Sequence, residues 1–274
     1  MEIKIQGIPI YYEIHGSGKP IVMIHGYSVD HRLMSGCMEP LFDETSDWMR
    51  IYLDLPGMGK TPAPEWLANS DQMFEIVDEF IQKIIPEGNY AVAGESYGGY
   101  LTQGLLHKHS SRINGALLIC PLMTGYHDKR ILPQHTCFVR DEVLLNHLSN
   151  EERERFEASC VMLTPEIWKK MQAEIYSGVD INDQAFLDRL WEGEFAFSFE
   201  QDLAKTQFEK PVLIFAGRQD TTVGYMLQIS LLKQFPHATY LALDRAGHNL
   251  QVEQFEVFHS LSAEWLRSIQ AIWE

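Results

Sequence analysis

The amino-acid sequence predicts an α/β fold with a mostly parallel central sheet flanked by helices. In the first half of the chain, short apolar runs alternate with longer segments whose apolar residues recur at helical spacing. The same alternation returns near the C-terminus, after a stretch that lacks such runs. Apolar runs without a polar face are typical of strands buried on both sides, and their alternation with helices is typical of parallel sheets.

The predicted strands differ in how regularly apolar and polar residues alternate along them. Residues 8–14 alternate and are rich in β-branched and aromatic side chains, whereas residues 21–24 are short and wholly apolar. The further predicted strands are residues 48–53, 90–93, 115–120, 211–216 and 239–243. Helical spacing predicts helices over residues 73–85, 100–109, 225–235 and 251–272.

Residues 122–205, called the insertion below, interrupt this alternation. They contain candidate helices over residues 141–148, 150–162, 165–176 and 183–191, and no clean buried strand. Strands flank the insertion on both sides, and no linker-like composition bounds it. We therefore interpret it as a helical lid over a core made of residues 1–121 and 206–274. The alternative is a separate helical domain.

The composition of the 274-residue chain indicates which kinds of partner it can bind and which cellular compartment it fits. A net charge of −16 disfavours binding to nucleic acid and to anionic membrane surfaces. No apolar run reaches the length of a membrane span, and the first residues lack the apolar core of a signal peptide. The cysteines are widely spaced, which fits inert thiols in a reducing cytoplasm rather than a zinc site or a disulfide framework: Cys37, Cys120, Cys137 and Cys160.

Ser96 is the candidate nucleophile. It stands between Gly94 and Gly98 at the point where the strand of residues 90–93 gives way to a helix. A G-x-S-x-G run in this context is typical of a sharp, strained turn that exposes the serine hydroxyl. Side chains at the two glycine positions would crowd the turn.

A serine hydroxyl needs a base, and the base needs an orienting carboxylate. His248 follows the last predicted strand, at the sheet edge where Ser96 is expected. Asp220 follows the strand before it and is the expected acid. Asp128, in the loop after residues 115–120, is the competing acid.

Acyl transfer also needs hydrogen-bond donors aimed at the developing oxyanion. The backbone N–H of Tyr97, directly after the candidate nucleophile, is one candidate. The backbone N–H of Tyr27, in the loop after residues 21–24, is the other. We expect His25 to bond the backbone of that loop rather than to act as a second base.

These motifs, taken in order, resemble those of the α/β-hydrolase superfamily in its lid-bearing branch. The resemblance covers nearly the whole chain and rests on five short segments: residues 25–26, 54–59, 94–99, 217–220 and 247–248. It implies the α/β-hydrolase fold, with Ser96 as nucleophile, Asp220 as acid, His248 as base and the amides of Tyr27 and Tyr97 as the oxyanion hole. It implies no cofactor and no metal.

Several residues of this chain differ from those typical of individual branches of the superfamily, and these differences reduce the number of expected activities. Epoxide hydrolases and haloalkane dehalogenases carry aspartate where this chain has Ser96, which argues against both. Proline iminopeptidases typically have tryptophan at the position of Tyr97 and hold the substrate amine with glutamates of the lid, a part that Glu192 and Glu194 would have to play. A cofactor-free lyase or perhydrolase, and a non-catalytic ligand-binding receptor on the same fold, are further alternatives.

The sequence therefore predicts a serine hydrolase that cleaves a small to medium, neutral carboxylic ester through an acyl-enzyme. The alternative within the same chemistry is an amide or peptide hydrolase of the iminopeptidase type. The expected partner is a small-molecule substrate, and the sequence makes no prediction of the oligomeric state. Because the chain is strongly acidic, anionic substrates should be disfavoured.

Overall fold

The central sheet of the computed structural model, which describes residues 1–273, has eight strands. They are β1 (Glu2–Ile5), β2 (Ile8–His15), β3 (Lys19–Ile24), β4 (Trp48–Leu53), β5 (Tyr90–Glu95), β6 (Ile113–Ile119), β9 (Val212–Gly217) and β10 (Ala238–Leu243). Their order across the sheet is β1-β2-β4-β3-β5-β6-β9-β10. The strands from β4 to β10 in this order are parallel, and β1 and β2 join the sheet in antiparallel pairs. The predicted mostly parallel sheet is confirmed.

Helices cover the two faces of this sheet. They are α1 (His31–Met38), α2 (Ser70–Ile84), α3 (Tyr97–His109), α10 (Leu250–Glu253) and α11 (Phe255–Trp273). Helix α1 packs against α11, and α2 packs against α3. The inner strands β5, β6 and β9 are buried along their whole length, as strands covered on both faces must be.

The insertion is mostly helical. Its helices are α4 (Glu142–His147), α5 (Asn150–Ser159), α6 (Pro165–Lys170), α7 (Ser177–Val179), α8 (Gln184–Glu192) and α9 (Glu200–Leu203), with a π-helical turn at Met171–Tyr176 between α6 and α7. It also contains a parallel pair of two-residue strands, β7 (Val139–Arg140) and β8 (Met162–Leu163), which the sequence pattern does not predict.

Three other elements differ from the sequence-based expectation. The pattern does not predict the N-terminal strand β1, which is four residues long and has only two apolar side chains, Ile3 and Ile5. The predicted helix over residues 225–235 is only a 3-10 helix, Gln228–Lys233, since positive-φ Gly224 precedes it and Pro236 follows it closely. The predicted C-terminal helix is broken at Gln254 into α10 and α11.

The carboxyl ends of the parallel strands meet at one edge of the sheet. The turn after β5 and the loops after β3, β9 and β10 lie there, and segments of the insertion face them across a cavity. This placement agrees with the rule that ligands of open α/β sheets bind beyond the strand ends. Within residues 1–273, no helix combines the length and the apolar character needed to cross a membrane.

Candidate active site

Ser96 occupies a strained turn between β5 and α3. Its φ of 52° and ψ of −114° lie where few residues other than glycine are found. A side chain at Gly94 would overlap the carbonyl of Gly98, and one at Gly98 would overlap the carbonyl of Ile24. The two glycines therefore let β5, α3 and the end of β3 approach closely enough to hold the turn.

The structure brings Ser96, His248 and Asp220 into one hydrogen-bonded chain. His248 Nε2 lies 2.9 Å from Ser96 Oγ, and His248 Nδ1 lies 2.8 Å from Asp220 Oδ2. The other oxygen of the buried Asp220 accepts hydrogen bonds from the backbone N–H groups of Thr222 (2.8 Å) and Val223 (2.9 Å). These bonds fix the carboxylate, and the carboxylate in turn favours the tautomer of His248 that carries its proton on Nδ1.

The electrostatic surroundings of His248 favour its charged form. Burial alone would lower the pKa of the imidazole, but the charges of Asp220 and Glu95 outweigh it and raise the pKa to about 9. Glu95 is the residue directly before Ser96. Burial raises the pKa of its carboxyl group to about 7, against the opposing effect of His248.

The two expected oxyanion donors are the backbone N–H groups of Tyr27 and Tyr97. Neither the N–H of Tyr27 nor that of Tyr97 donates a hydrogen bond to another group in residues 1–273. The Tyr27 side chain bonds the insertion directly, because its hydroxyl donates to the Leu187 carbonyl. The Tyr97 hydroxyl donates to Ser70 Oγ of α2 (2.8 Å), and Ser70 in turn donates to the Phe195 carbonyl of the insertion.

His25 bonds the backbone, as the sequence predicts. Its Nδ1 lies 2.7 Å from the Gly26 carbonyl, and its Nε2 accepts a hydrogen bond from the Leu55 N–H (3.0 Å). The loop that carries Tyr27 is thereby tied to the loop after β4. Because both ring nitrogens are engaged in the buried backbone, His25 has no role as a base at Ser96.

A cavity of about 560 Å³ opens over Ser96 and His248. Core loops and the insertion both line it, and most of its walls are apolar or aromatic, as in many small-molecule sites. Of the aromatic residues in the insertion, Trp191 and Phe195 are among the lining residues, whereas buried ones such as Phe186 and Phe197 pack within the protein.

The groups that the competing interpretations need lie elsewhere. Asp128 is exposed and lines a second depression on the surface rather than the cavity over Ser96. Glu192 and Glu194 are also exposed and line that second depression. Among the described residues, neither glutamate borders the cavity in which an iminopeptidase substrate would have to lie.

Within residues 1–273, two groups of side chains have the spacing of metal ligands, but each is already engaged. Cys120, Asp220 and His248 lie within 4.8 Å of one another; His248 and Asp220 bond each other, and burial raises the pKa of the Cys120 thiol well above its usual range. In the second group, His31 bonds Asp54 at 2.7 Å, and Asp30 is paired with Arg32. These contacts stabilise loops rather than leave ligand atoms free for a cation.

Two buried glutamates at the site were missed by the sequence analysis. Glu95 stands inside the turn motif, where the pattern draws attention to the serine and the glycines instead. Glu253 accepts backbone N–H groups of Gly247 (2.6 Å), Val161 (2.6 Å) and Met162 (3.3 Å), and so joins the His248 loop to the insertion. A carboxyl group directly beside Ser96 is a signal that could have identified Glu95, whereas nothing local marks Glu253.

The parallel sheet and the serine at its strand-to-helix turn are those of an α/β hydrolase. A model of the alpha/beta hydrolase family matches residues 21–260, and the chain belongs to this family. The predicted resemblance is confirmed.

Individual relatives cover nearly the whole chain. A pimeloyl-[acyl-carrier protein] methyl ester esterase of Legionella pneumophila (strain Lens) is 21% identical over 258 residues, which are 94% of this chain and 99% of the relative. The crystal structure of an alpha/beta superfamily hydrolase from Oenococcus oeni PSU-1 matches with a TM-score of 0.89 and 32% identity, over 95% of this chain and 96% of that one. An esterase from Exiguobacterium antarcticum shares the fold, with a TM-score of 0.72 and 20% identity over 96% and 97% of the two chains.

Proposed function

We propose that this protein is a serine hydrolase that cleaves a small to medium, neutral carboxylic ester through an acyl-enzyme. The observation that carries the proposal is the hydrogen-bonded chain from Ser96 through His248 to Asp220, with Ser96 in a strained turn. The esterase names of several relatives that cover nearly the whole chain also support it.

In the proposed mechanism, Ser96 Oγ attacks the ester carbonyl while its proton moves to His248 Nε2. The oxyanion accepts hydrogen bonds from the backbone N–H groups of Tyr27 and Tyr97, which lack partners in the described residues. The imidazolium then protonates the leaving alcohol, the carbon–oxygen bond to that alcohol breaks, and the acyl-enzyme remains. Water, deprotonated by His248, attacks the acyl carbon, the bond from that carbon to Ser96 Oγ breaks, and His248 returns the proton to Oγ as the carboxylic acid leaves.

We propose that residues 1–121 and 206–274 form the catalytic core and that the insertion, residues 122–205, is its lid. The support is that the cavity over Ser96 has walls from both parts and that the Tyr27 hydroxyl donates to the Leu187 carbonyl of the insertion. A lid of this kind would exclude water from the oxyanion site during acylation.

We further propose a small molecule as the partner and the cytoplasm as the compartment. The four cysteines are all free thiols, which fits a reducing environment. The net charge of −16 argues against a nucleic-acid or anionic-membrane partner. These proposals rest on composition and thiol state.

The test of the proposed function is covalent labelling with a fluorophosphonate, which reacts with activated serines. The wild-type protein should label once, and Ser96→Ala should lose both labelling and ester turnover, by about 10⁴-fold or more. Ser159→Ala is the matched control, because Ser159 lines the same cavity but bonds Tyr176 and the Arg155 carbonyl instead of a histidine. It should keep labelling. A wild-type protein that does not label would point to a non-catalytic receptor.

A further inference from the structure

Glu95 places a second carboxyl group against the imidazole of His248. Its Oε1 lies 3.3 Å from His248 Nε2, the same nitrogen that faces Ser96 Oγ. The side chain is 2% exposed. Its other oxygen packs against the loop after β3, so closely that any side chain at Gly26 would overlap it. The carboxyl group is thus confined between the base and the loop of the proposed oxyanion hole.

The two carboxyl groups that face His248 have different surroundings. Asp220 accepts two backbone N–H groups in addition to His248, and these donors stabilise its negative charge. For Glu95, the one donor-bearing group in ion-pair contact within residues 1–273 is His248 itself. A buried carboxylate without other donors is costly unless an opposite charge neutralises it. The charge of Glu95 and that of an imidazolium at His248 therefore stabilise each other.

The remaining ionisable groups around the pair do not replace either partner. The thiols of Cys37 and Cys120 lie near Glu95, but burial raises the pKa of both well above the usual range, so they stay neutral. Asp220 adds a second negative charge, which disfavours ionisation of Glu95 and favours protonation of His248. Arg130, which borders the cavity, acts on His248 in the opposite sense.

We propose that Glu95 is a positioning residue that acts through His248: it holds the imidazole in its protonated form to higher pH than Asp220 alone would, and so confines the hydrolytic activity to alkaline conditions. The inference rests on the proposed function. As pH rises, Glu95 loses its proton first, and the resulting carboxylate retains the Nε2 proton. Only when that proton leaves to solvent does Nε2 accept the Ser96 hydroxyl proton.

The same contact favours the reaction once the base is free. When Ser96 Oγ bonds to the ester carbonyl carbon, its proton moves to Nε2 and recreates the imidazolium. The Glu95 carboxylate then stabilises this cation from one side while Asp220 stabilises it from the other. A more basic imidazole is also a stronger general base. Glu95 therefore lowers activity at pH values between its own pKa, about 7, and that of His248, about 9, and raises activity above both.

The test compares pH profiles of the wild type and Glu95→Gln, which keeps the size of the side chain and removes the charge. The midpoint of the acid limb of kcat/KM should lie lower in the variant by about one pH unit or more. Above the pKa of Glu95, about 7, and below both midpoints, a midpoint lowered by about one pH unit should make the variant more active than the wild type by up to about tenfold, reduced by the factor that it loses on the plateau. Well below that pKa, where Glu95 of the wild type is neutral, the two proteins should differ by the plateau factor alone. On the alkaline plateau it should be less active. Glu95→Asp, with a shorter reach, should be intermediate. Structural damage would lower both limbs, and profiles with the same midpoint would refute the proposal.

A second readout separates this inference from the proposed function and needs no variant of Glu95. The rate of fluorophosphonate labelling of the wild type should rise with pH as kcat/KM does, with a midpoint in the alkaline range. If the protein labels but the midpoint of its labelling rate lies at the ordinary histidine pKa of about 6.5, the proposed role of Glu95 is refuted while the proposed serine hydrolase activity stands. If the protein never labels, the proposed function fails. In ¹⁵N-histidine spectra of the wild type, the His248 signal, assigned by its loss in His248→Ala, should titrate above the ordinary range.

Discussion

At the scale of single residues, the proposed reaction depends on which nitrogen of His248 carries the proton. Asp220 makes this choice, since one of its oxygens is held by the N–H groups of Thr222 and Val223 and only the other faces Nδ1. Because an ionised carboxylate can only accept hydrogen bonds, Nδ1 of His248 must be the donor to Asp220. The other ring nitrogen, Nε2, faces Ser96. The orientation of one carboxylate thus determines the function of the imidazole.

Asp220→Asn should reverse that choice without unfolding the protein. The amide oxygen of asparagine would keep the two backbone N–H groups as donors, and its NH₂ group would then face His248 Nδ1. The imidazole would have to accept there and carry its proton on Nε2, where it cannot take one from Ser96. We expect kcat to fall by roughly 10⁴, with an unchanged melting temperature within about 2 °C.

Asp128→Asn is the matched control for this experiment. Asp128 is the other acid that the sequence left open, and it is exposed outside the cavity. Its substitution should leave kcat within about twofold of the wild-type value, because surface changes are usually small in effect. A large loss in Asp128→Asn together with a small one in Asp220→Asn would move the proposed acid to the loop after β6.

At the scale of secondary-structure elements, Glu253 connects segments that are distant in the chain. It ends the short helix α10, and its carboxyl group accepts N–H groups from Gly247, beside His248, and from Val161 and Met162 of the insertion. After the cap residue Cys160, whose N–H still bonds the Phe156 carbonyl, the next two N–H groups bond Glu253 instead of continuing helix α5.

Glu253→Gln should therefore destabilise the protein. The amide keeps one accepting oxygen and presents an NH₂ group to an N–H that then lacks an acceptor, at a cost of about 1–3 kcal/mol. We expect a melting temperature lower by several degrees, as thermal unfolding would report, and slower fluorophosphonate labelling because the His248 loop loses an anchor.

The control is Glu256→Gln, one turn further on in α11, where the side chain is exposed. Its melting temperature should equal that of the wild type within about 1 °C. Equal stability of the two variants would mean that Glu253 does not tie the insertion to the His248 loop.

At the scale of the whole molecule, the net charge of −16 acts on every approaching substrate. The charged residues that line the cavity include both signs: Arg130 and Arg155 as well as Glu95 and Asp188. The repulsion of anions is therefore expected to come from the long-range field rather than from the lining, and a long-range field is screened by salt.

Esters matched in length but differing in charge should reveal this field. At low ionic strength, the neutral ester should have the higher kcat/KM. For the anionic ester, kcat/KM should rise about twofold or more between low and physiological ionic strength, while the value for the neutral ester stays constant. Equal values at all salt concentrations would mean that the acidic residues affect solubility alone, and a preference for the anionic ester would mean that Arg130 or Arg155 dominates.

The sequence by itself determined the class of fold and the position of the strained turn. The apolar runs depend on local physics, since period two or about 3.6 defines buried strands and helices, and the crowding at Gly94 comes from the Gly98 carbonyl of the same turn. The crowding at Gly98 comes from the Ile24 carbonyl at the end of β3 and is therefore a tertiary contact. The parallel sheet also placed Asp220 and His248 at the same edge as Ser96, because the carboxyl ends of parallel strands share one edge. The edge strand β1 and the ends of the insertion helices do not follow from local patterns, since strand pairing and long-range hydrogen bonds set them.

Only the tertiary structure decided which groups touch. Ser96 and His248 are 152 positions apart in the chain, yet Nε2 and Oγ lie 2.9 Å apart. Glu95 supplies the second carboxyl group that contacts His248, and Glu253 holds the loop that carries His248. Packing likewise decides which side chains of the insertion border the cavity, Trp191 and Phe195 among them. Contacts of this kind depend on how whole elements pack, and residue patterns along the chain do not encode which of several buried carboxyl groups will face one imidazole.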